Sequence, residues 1–148
     1  VRMKTPVSDL LTSKGNQVVT ISPTATVFEA ITLMAEKSIG ALPVVNRAGK
    51  IAGILSERDC FRKVILVEKA PRDTAVRDIM SRKVTYVNPD RTVDECMHIM
   101  TEKKIRHLPV LDGEKLVGLI SIGDCVKFLV SQQDQMIHNL EKYIEGSL

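Results

Sequence analysis

The amino-acid sequence predicts an α/β (α+β) fold of two β-α-β-β-α repeats packed as a pseudo-twofold pair, and three observations carry that prediction. The first is self-similarity, the signature of a duplicated unit. Residues 18–23 recur as 84–89, an offset of 66, and the match continues from Thr26-Val27 and Thr92-Val93 to Leu42-Pro43-Val44 and Leu108-Pro109-Val110. After a one-residue gap, residues 50–60 pair with 115–125; 17 of 39 aligned positions are identical, 12 of 28 before the gap and 5 of 11 after it, which excludes chance. The second is periodicity, which passes from a β-branched run to a 3.6-residue repeat and then to two short apolar runs. The third is burial: a small sheet with one helix-covered face cannot bury both faces alone, so the halves must pack against one another.

Each element has a local cause. Val7-Ser8-Asp9-Leu10-Leu11 echoes Val76-Arg77-Asp78-Ile79-Met80, so a short segment precedes the first strand of each unit. Residues 18–21 are a β-branched run stopped by Ser22-Pro23, the signal of a strand and a turn. Thr26 and Glu29, like Thr92 and Glu95, have capping-box spacing. Val27, Ala30, Ile31, Met34 and Ala35 then mark the buried stripe of an amphipathic helix. Residues 41–45 and 51–55 read as a hairpin across Asn46-Arg47-Ala48-Gly49, with the shorter Asp112-Gly113 in the second unit. A second helix opens at Ser56 and again at Ser121. The charged joint near residues 68–74, which contains Pro71, sets the boundaries at 5–67 and 74–130. Residues 131–148 form a terminal helical extension: Leu129, Val130, Met136, Ile137, Leu140, Tyr143 and Ile144 recur at helical spacing, and Gly146 stands just past its end. This helix is expected to cover the module or a partner subunit.

Composition narrows the function. Apolar residues at 44% and charged residues at 26% describe an ordinary globular chain. No run approaches the roughly 18 apolar residues of a membrane span, and Val1-Arg2-Met3-Lys4 lacks the apolar core of a signal peptide, so no membrane association and a cytoplasmic setting are expected. Basic residues (21) are interleaved with acidic ones (18), and aromatics total 3% with no Trp, which leaves little from which to build a nucleic-acid platform. Cys60, Cys96 and Cys125 are odd in number and never form a C-x-x-C pair, which argues against disulfides and zinc. No P-loop, no G-x-G-x-x-G and no nucleophile–base pair is present, and Cys96 and His98 diverge on their helix. The chain is therefore read as non-catalytic, with no catalytic residue, metal or catalytic cofactor.

Two register-matched copies of strand, helix, Leu-Pro-Val strand and a Gly-h-h-Ser-x-x-Asp turn remain to be explained. The turns are Gly53-Ile54-Leu55-Ser56-Glu57-Arg58-Asp59 and Gly118-Leu119-Ile120-Ser121-Ile122-Gly123-Asp124. Over about residues 5–130 this pattern resembles a pair of cystathionine-β-synthase (CBS) domains, a Bateman module. The resemblance implies a sensor of adenosine ligands (AMP, ADP, ATP, NAD or S-adenosylmethionine) held in two clefts between the halves. Ser56 and Ser121 sit where a strand turns into a helix, so hydroxyl and N-terminal N–H groups can face a phosphate. Asp59 and Asp124 can accept hydrogen bonds from paired ribose hydroxyls. Ser-x-x-Asp is also a plain helix cap, and one serine can serve both roles.

By the family pattern, the cleft of Ser121 and Asp124 also takes Arg106, with Lys14, Gln17, Val19 (backbone only) and Gly40 from the other half. The cleft of Ser56 and Asp59 recruits Lys83, Thr85, Ile105 and His107, with Arg58 near the phosphates. The clefts are not equivalent, because Arg106-His107 replaces Gly40-Ala41 and Gly123 replaces Arg58. Arg can grip a phosphate bidentately; His107 either makes binding pH-dependent or is a surface or interface histidine ahead of a strand. Arg58 and Arg106 disfavour cationic S-adenosylmethionine. The expected partners are an adenine nucleotide (AMP, ATP or NAD), a second copy in a homodimer, and an unidentified target protein, since these residues carry no effector domain. The alternative is a ligand-free structural or protein-interaction dimer module.

Overall fold

The computed structural model describes residues 4–15 and 17–144, so Gly146 and the first three residues lie outside the described residues. Chain order is α1 (Val7–Lys14), α2 (Val27–Lys37), β1 (Ala41–Val45), β2 (Ile51–Ser56), α3 (Glu57–Cys60), a π turn (Phe61–Ile65), a 3-10 turn (Pro71–Asp73), α4 (Val76–Ile79), α5 (Val93–Lys103), β3 (His107–Asp112), β4 (Lys115–Ser121) and α6 (Ile122–Ile144). Two antiparallel hairpins, β1–β2 and β3–β4, form the sheets. Their registers match: Leu42 pairs with Leu55 and Leu108 with Ile120, and each ladder has one irregularity, at Val44/Val45 and Val110/Leu111. Both capping boxes form as the spacing predicts, the Glu29 N–H donating to Thr26 Oγ1 at 3.1 Å and the Glu95 N–H to Thr92 Oγ1 at 3.3 Å.

Three expectations need correction. Residues 18–21 and 84–87 are not ladder strands. Each contributes one parallel bridge, Ile21 to Val44 and Val87 to Val110, because the proline two residues on has no N–H to extend the pairing. The second helix of the first repeat is α-helical only over Glu57–Cys60 before it widens into the π turn. Finally, of the two roles expected for the terminal helix, covering the module or covering a partner subunit, residues 133–144 do not fill the first. α6 runs unbroken through residue 131, and residues 133–144 are all exposed.

The lead-in segments change partners. Val7, Leu10 and Leu11 are buried with Val93, Met100, Leu108 and Ile120, in the core of the second repeat. Val76, Ile79 and Met80 are buried with Val27, Met34, Leu42 and Leu55, in the core of the first. Matching backbone bonds fix both crossings: the Val7 N–H donates to Arg91 O (2.7 Å) and the Val93 N–H to Thr5 O (2.8 Å), as the Val76 N–H donates to Ala25 O (2.8 Å) and the Val27 N–H to Thr74 O (2.9 Å). The halves are thus joined by exchange of helices, and each has its own core. Two repeat-matched glycines make room for the exchange. A Cβ on Gly53 would lie 2.8 Å from Met80 Sδ and from Ser81 O, and one on Gly118 would lie 2.5 Å from Leu11 Cδ2. Backbone approach of this kind is a standard use of strand glycine.

Candidate functional site

Each Ser-x-x-Asp turn closes on itself. In the first repeat the Ser56 N–H donates to Asp59 Oδ2 at 3.1 Å and the Asp59 N–H donates to Ser56 Oγ at 3.2 Å. In the second, the Ser121 N–H donates to Asp124 Oδ2 at 2.9 Å and the Asp124 N–H to Ser121 Oγ at 3.0 Å. The next donors are also used, the Glu57 N–H by Gly40 O (3.0 Å) and the Ile122 N–H by Arg106 O (2.9 Å). Two of the first three helix N–H groups are therefore already satisfied in each repeat, which leaves less for a phosphate than the sequence suggested.

Each aspartate also holds a lysine, and the two lysines come from different places. Lys14, the last residue of α1, sets its Nζ 2.6 Å from Asp124 Oδ2 and 2.6 Å from Leu119 O. This brings together Ser121, Asp124 and Lys14, three of the residues expected in one cleft, and ties the crossing helix to the edge of β4. Burial opposes the charge of Asp124, but the bonds from Lys14 and Ser121 outweigh it and hold the carboxyl below its usual range. In the first repeat the cation is Lys63, which the sequence reading missed. Its Nζ lies 3.2 Å from Asp59 Oδ1 and donates to Ile79 O at 3.0 Å, at the C-terminal end of the other crossing helix. Lys83 had been expected there and is exposed. Lys63 reaches Asp59 because it stands one turn after it, the spacing at which helical side chains meet.

His107 lies at the seam between the halves, not in the first cleft alone. A Cβ on Gly40 would meet its Cε1 at 3.3 Å and Glu57 Oε1 at 3.3 Å, so these two side chains press against one glycine. Burial lowers the His107 pKa; Asp124 and Glu57 act to raise it and Lys14 and Arg106 to lower it further. Arg58, Arg106 and Gln17 are exposed, Val19 and Thr85 are half-buried, and Val19 and Ile105 pack on the cores of the first and second repeats. A groove of about 470 Å³ lies beside the seam, lined by Gly40 and Glu57 and by apolar residues including Ile31, Met34, Phe61 and Ile65. Burial raises the thiols, Cys60 and Cys125 to about 11 and Cys96 to about 12. They are protonated packing groups at neutral pH.

Known proteins share this arrangement. The CBS domain family matches the chain twice, over residues 7–66 and 76–131. The mitochondrial CBS domain-containing protein CBSX3 of Arabidopsis thaliana is 35% identical over 150 residues, which cover 96% of this chain and 73% of that protein. A signal-transduction candidate with CBS domains from Burkholderia ambifaria MC40-6 is 51% identical with a TM-score of 0.82, covering 87% of this chain and 96% of that one. A hexameric CBS-CP12 protein from bloom-forming cyanobacteria is 31% identical with a TM-score of 0.75, covering 85% and 72%.

Proposed function

This chain belongs to the CBS-domain family, and from that premise we propose that it is a non-catalytic regulatory module that binds an adenine nucleotide (AMP, ADP, ATP or NAD) at its Ser-x-x-Asp turns. One observation carries the reading. Both turns present, at matched positions of the repeat, a carboxylate already engaged by a lysine that also bonds an element from the opposite half. A ribose diol is the ligand group suited to such a carboxylate, because its paired hydroxyls donate while the carboxylate only accepts. On binding, the diol would compete with Lys14 for Asp124, releasing the ammonium toward the phosphate beside Arg106. In the first cleft Arg58 would meet the phosphate.

Such a ligand would have differential affinity for two arrangements of the crossing helices, because it replaces the bond from Lys14 that ties α1 to the first turn of α6. That difference is what lets binding act as a signal. The seam residues Gly40, Glu57 and His107 would then sense occupancy from either side. Among the described residues no helix is long and apolar enough to cross a membrane.

Isothermal titration of nucleotide-stripped protein with AMP, ATP, NAD and S-adenosylmethionine tests the reading. The expected result is saturable binding of at least one nucleotide, lost in the Asp59→Ala, Asp124→Ala double variant. Failure of all four ligands to bind would overturn it.

A further inference from the structure

Exchange of the crossing helices sorts charges that are interleaved in the sequence. Residues 57–63 open the second helical stretch of the first repeat, and residues 77–83 run from α4 past its end. Lys63 joins these segments, its Nζ donating to Ile79 O at 3.0 Å, and the Ser81 N–H donates at 2.9 Å to Ile54 O on the strand that leads into α3. Together the segments hold Arg58, Arg62, Lys63, Arg77, Arg82 and Lys83, all exposed, against the carboxylates of Glu57, Asp59 and Asp78. Their net charge of +3 equals that of the whole chain. Among the described residues, Lys63 alone of the six cations is ion-paired, with Asp59 at 3.2 Å.

The duplication supplies an internal control. The matched residues of the other half, 122–128 and 8–14, hold Lys14 and Lys127 against Asp9 and Asp124 and are neutral. The same exchanged helix and the same Ser-x-x-Asp turn therefore form without the excess charge. Folding does not require it, and like charges gathered on one face repel. We propose that this face of the first repeat is a docking surface for an acidic segment of another protein. Four of the six cations are arginines, whose planar forks match carboxylates. Phe61, Ile65 and Leu66 lie on the same stretch and are 49% to 64% exposed, so a segment whose carboxylates alternate with apolar side chains can use both kinds of contact. A nucleic-acid backbone fits less well. It has no apolar side chains to set against these, and an excess of three charges falls short of the roughly six to ten phosphate contacts of a strongly salt-sensitive nucleic-acid binder. The face adjoins the first cleft through Arg58, so a docked carboxylate and a bound phosphate would compete for one guanidinium.

The test follows the fluorescence anisotropy of a labelled peptide of alternating Glu and Leu, titrated with the nucleotide-stripped full chain. The peptide should bind saturably, and more weakly as salt rises, whereas a peptide of alternating Gln and Leu should not bind. The triple variant Arg62→Glu, Arg77→Glu, Arg82→Glu should weaken binding at least roughly tenfold, since three exposed attractions become repulsions. Arg62→Gln alone should act in the same direction, which keeps the test decisive if the triple variant does not fold. Lys115→Glu, Lys127→Glu, Lys142→Glu makes an equal change of charge elsewhere on the chain and should leave binding within about twofold of the parent; circular dichroism checks that the variants are folded. Failure of the Glu-Leu peptide to bind, equal losses in the two triple variants, or tighter binding of a labelled oligothymidylate than of the peptide would each overturn the proposal. Nucleotide is absent throughout, and Arg62, Arg77 and Arg82 lie outside the candidate ligand site, so the result is independent of the nucleotide reading.

Discussion

Leu11 and Gly118 are 107 positions apart in the sequence, yet a methyl on Gly118 would lie 2.5 Å from Leu11 Cδ2 and 2.9 Å from its Cδ1. Removing the Leu11 side chain should cost about 2 to 5 kcal/mol, the range for a buried leucine cut to alanine. Gly118→Ala overpacks the site at about 1 to 3 kcal/mol, offset by about 0.4 to 1 kcal/mol from a less flexible unfolded chain. In the double variant the new methyl occupies space that Leu11 has vacated, so the overpacking vanishes and part of the cavity is filled. The double variant should therefore be about 1 to 3 kcal/mol more stable than the sum of the singles, a coupling typical of residues in contact. Urea unfolding at one fixed protein concentration measures all four corners of the cycle. Additivity within about 0.5 kcal/mol would refute the helix exchange at this end. Gly53→Ala provides the contrast. Its methyl would meet Ser81 O at 2.8 Å, on backbone held by reciprocal bonds with Ile54, so truncating Met80 should rescue it far less.

Other expectations follow from the same contacts. His107 is depressed in the folded state, so the unfolded chain binds its proton more readily. The stability this gives is fully present above the ordinary value of 6.5 and is lost as pH falls through the folded value. A denaturation series from about pH 7.5 to 5 should show this slope, and His107→Asn should flatten it. Lys14→Met should move the Asp124 carboxyl upward, visible in an NMR titration, and cost about 1 kcal/mol or less, since both partners are partly solvated. The three thiols should resist alkylation at pH 8 in the native protein and all react in urea; rapid native labelling of any one would contradict its burial.

The repeat made most of the architecture legible, because duplication turns weak local signals into paired ones. The hairpins, the capping boxes and the two Ser-x-x-Asp turns all stand where spacing placed them. The exchange of α1 and α4 was not legible, since Val7-Leu10-Leu11 and Val76-Ile79-Met80 show a helical stripe but do not say which half it serves. A signal was nevertheless present in Gly53 and Gly118, matched positions without a side chain in strands otherwise rich in Ile and Leu. Lys63 also had a signal, its four-residue spacing from Asp59, and was passed over because its repeat counterpart is Phe128. The π turn over Phe61–Ile65 follows from no residue pattern in the segment.

That substitution of Phe128 for Lys63 explains why the halves wire their aspartates differently. With Phe128 four residues after Asp124, the second repeat has no counterpart of Lys63; Phe128 packs on the core. Lys14 can fill the position only because α1 ends at that place, and it brings the connection to the opposite half with it. In the first repeat Lys63 is local, and the crossing helix enters through its terminal carbonyl at Ile79, a group that helix ends leave open to basic side chains. Loss of the lysine should therefore act differently at the two sites. Lys63→Met removes a cation that belongs to the same repeat as Asp59. Lys14→Met leaves Asp124 with no repeat-matched substitute and frees the end of α1, so hydrogen exchange should quicken over residues 7–14 in Lys14→Met more than over 76–79 in Lys63→Met. Equal acceleration at both ends would show that the two connections are equivalent after all.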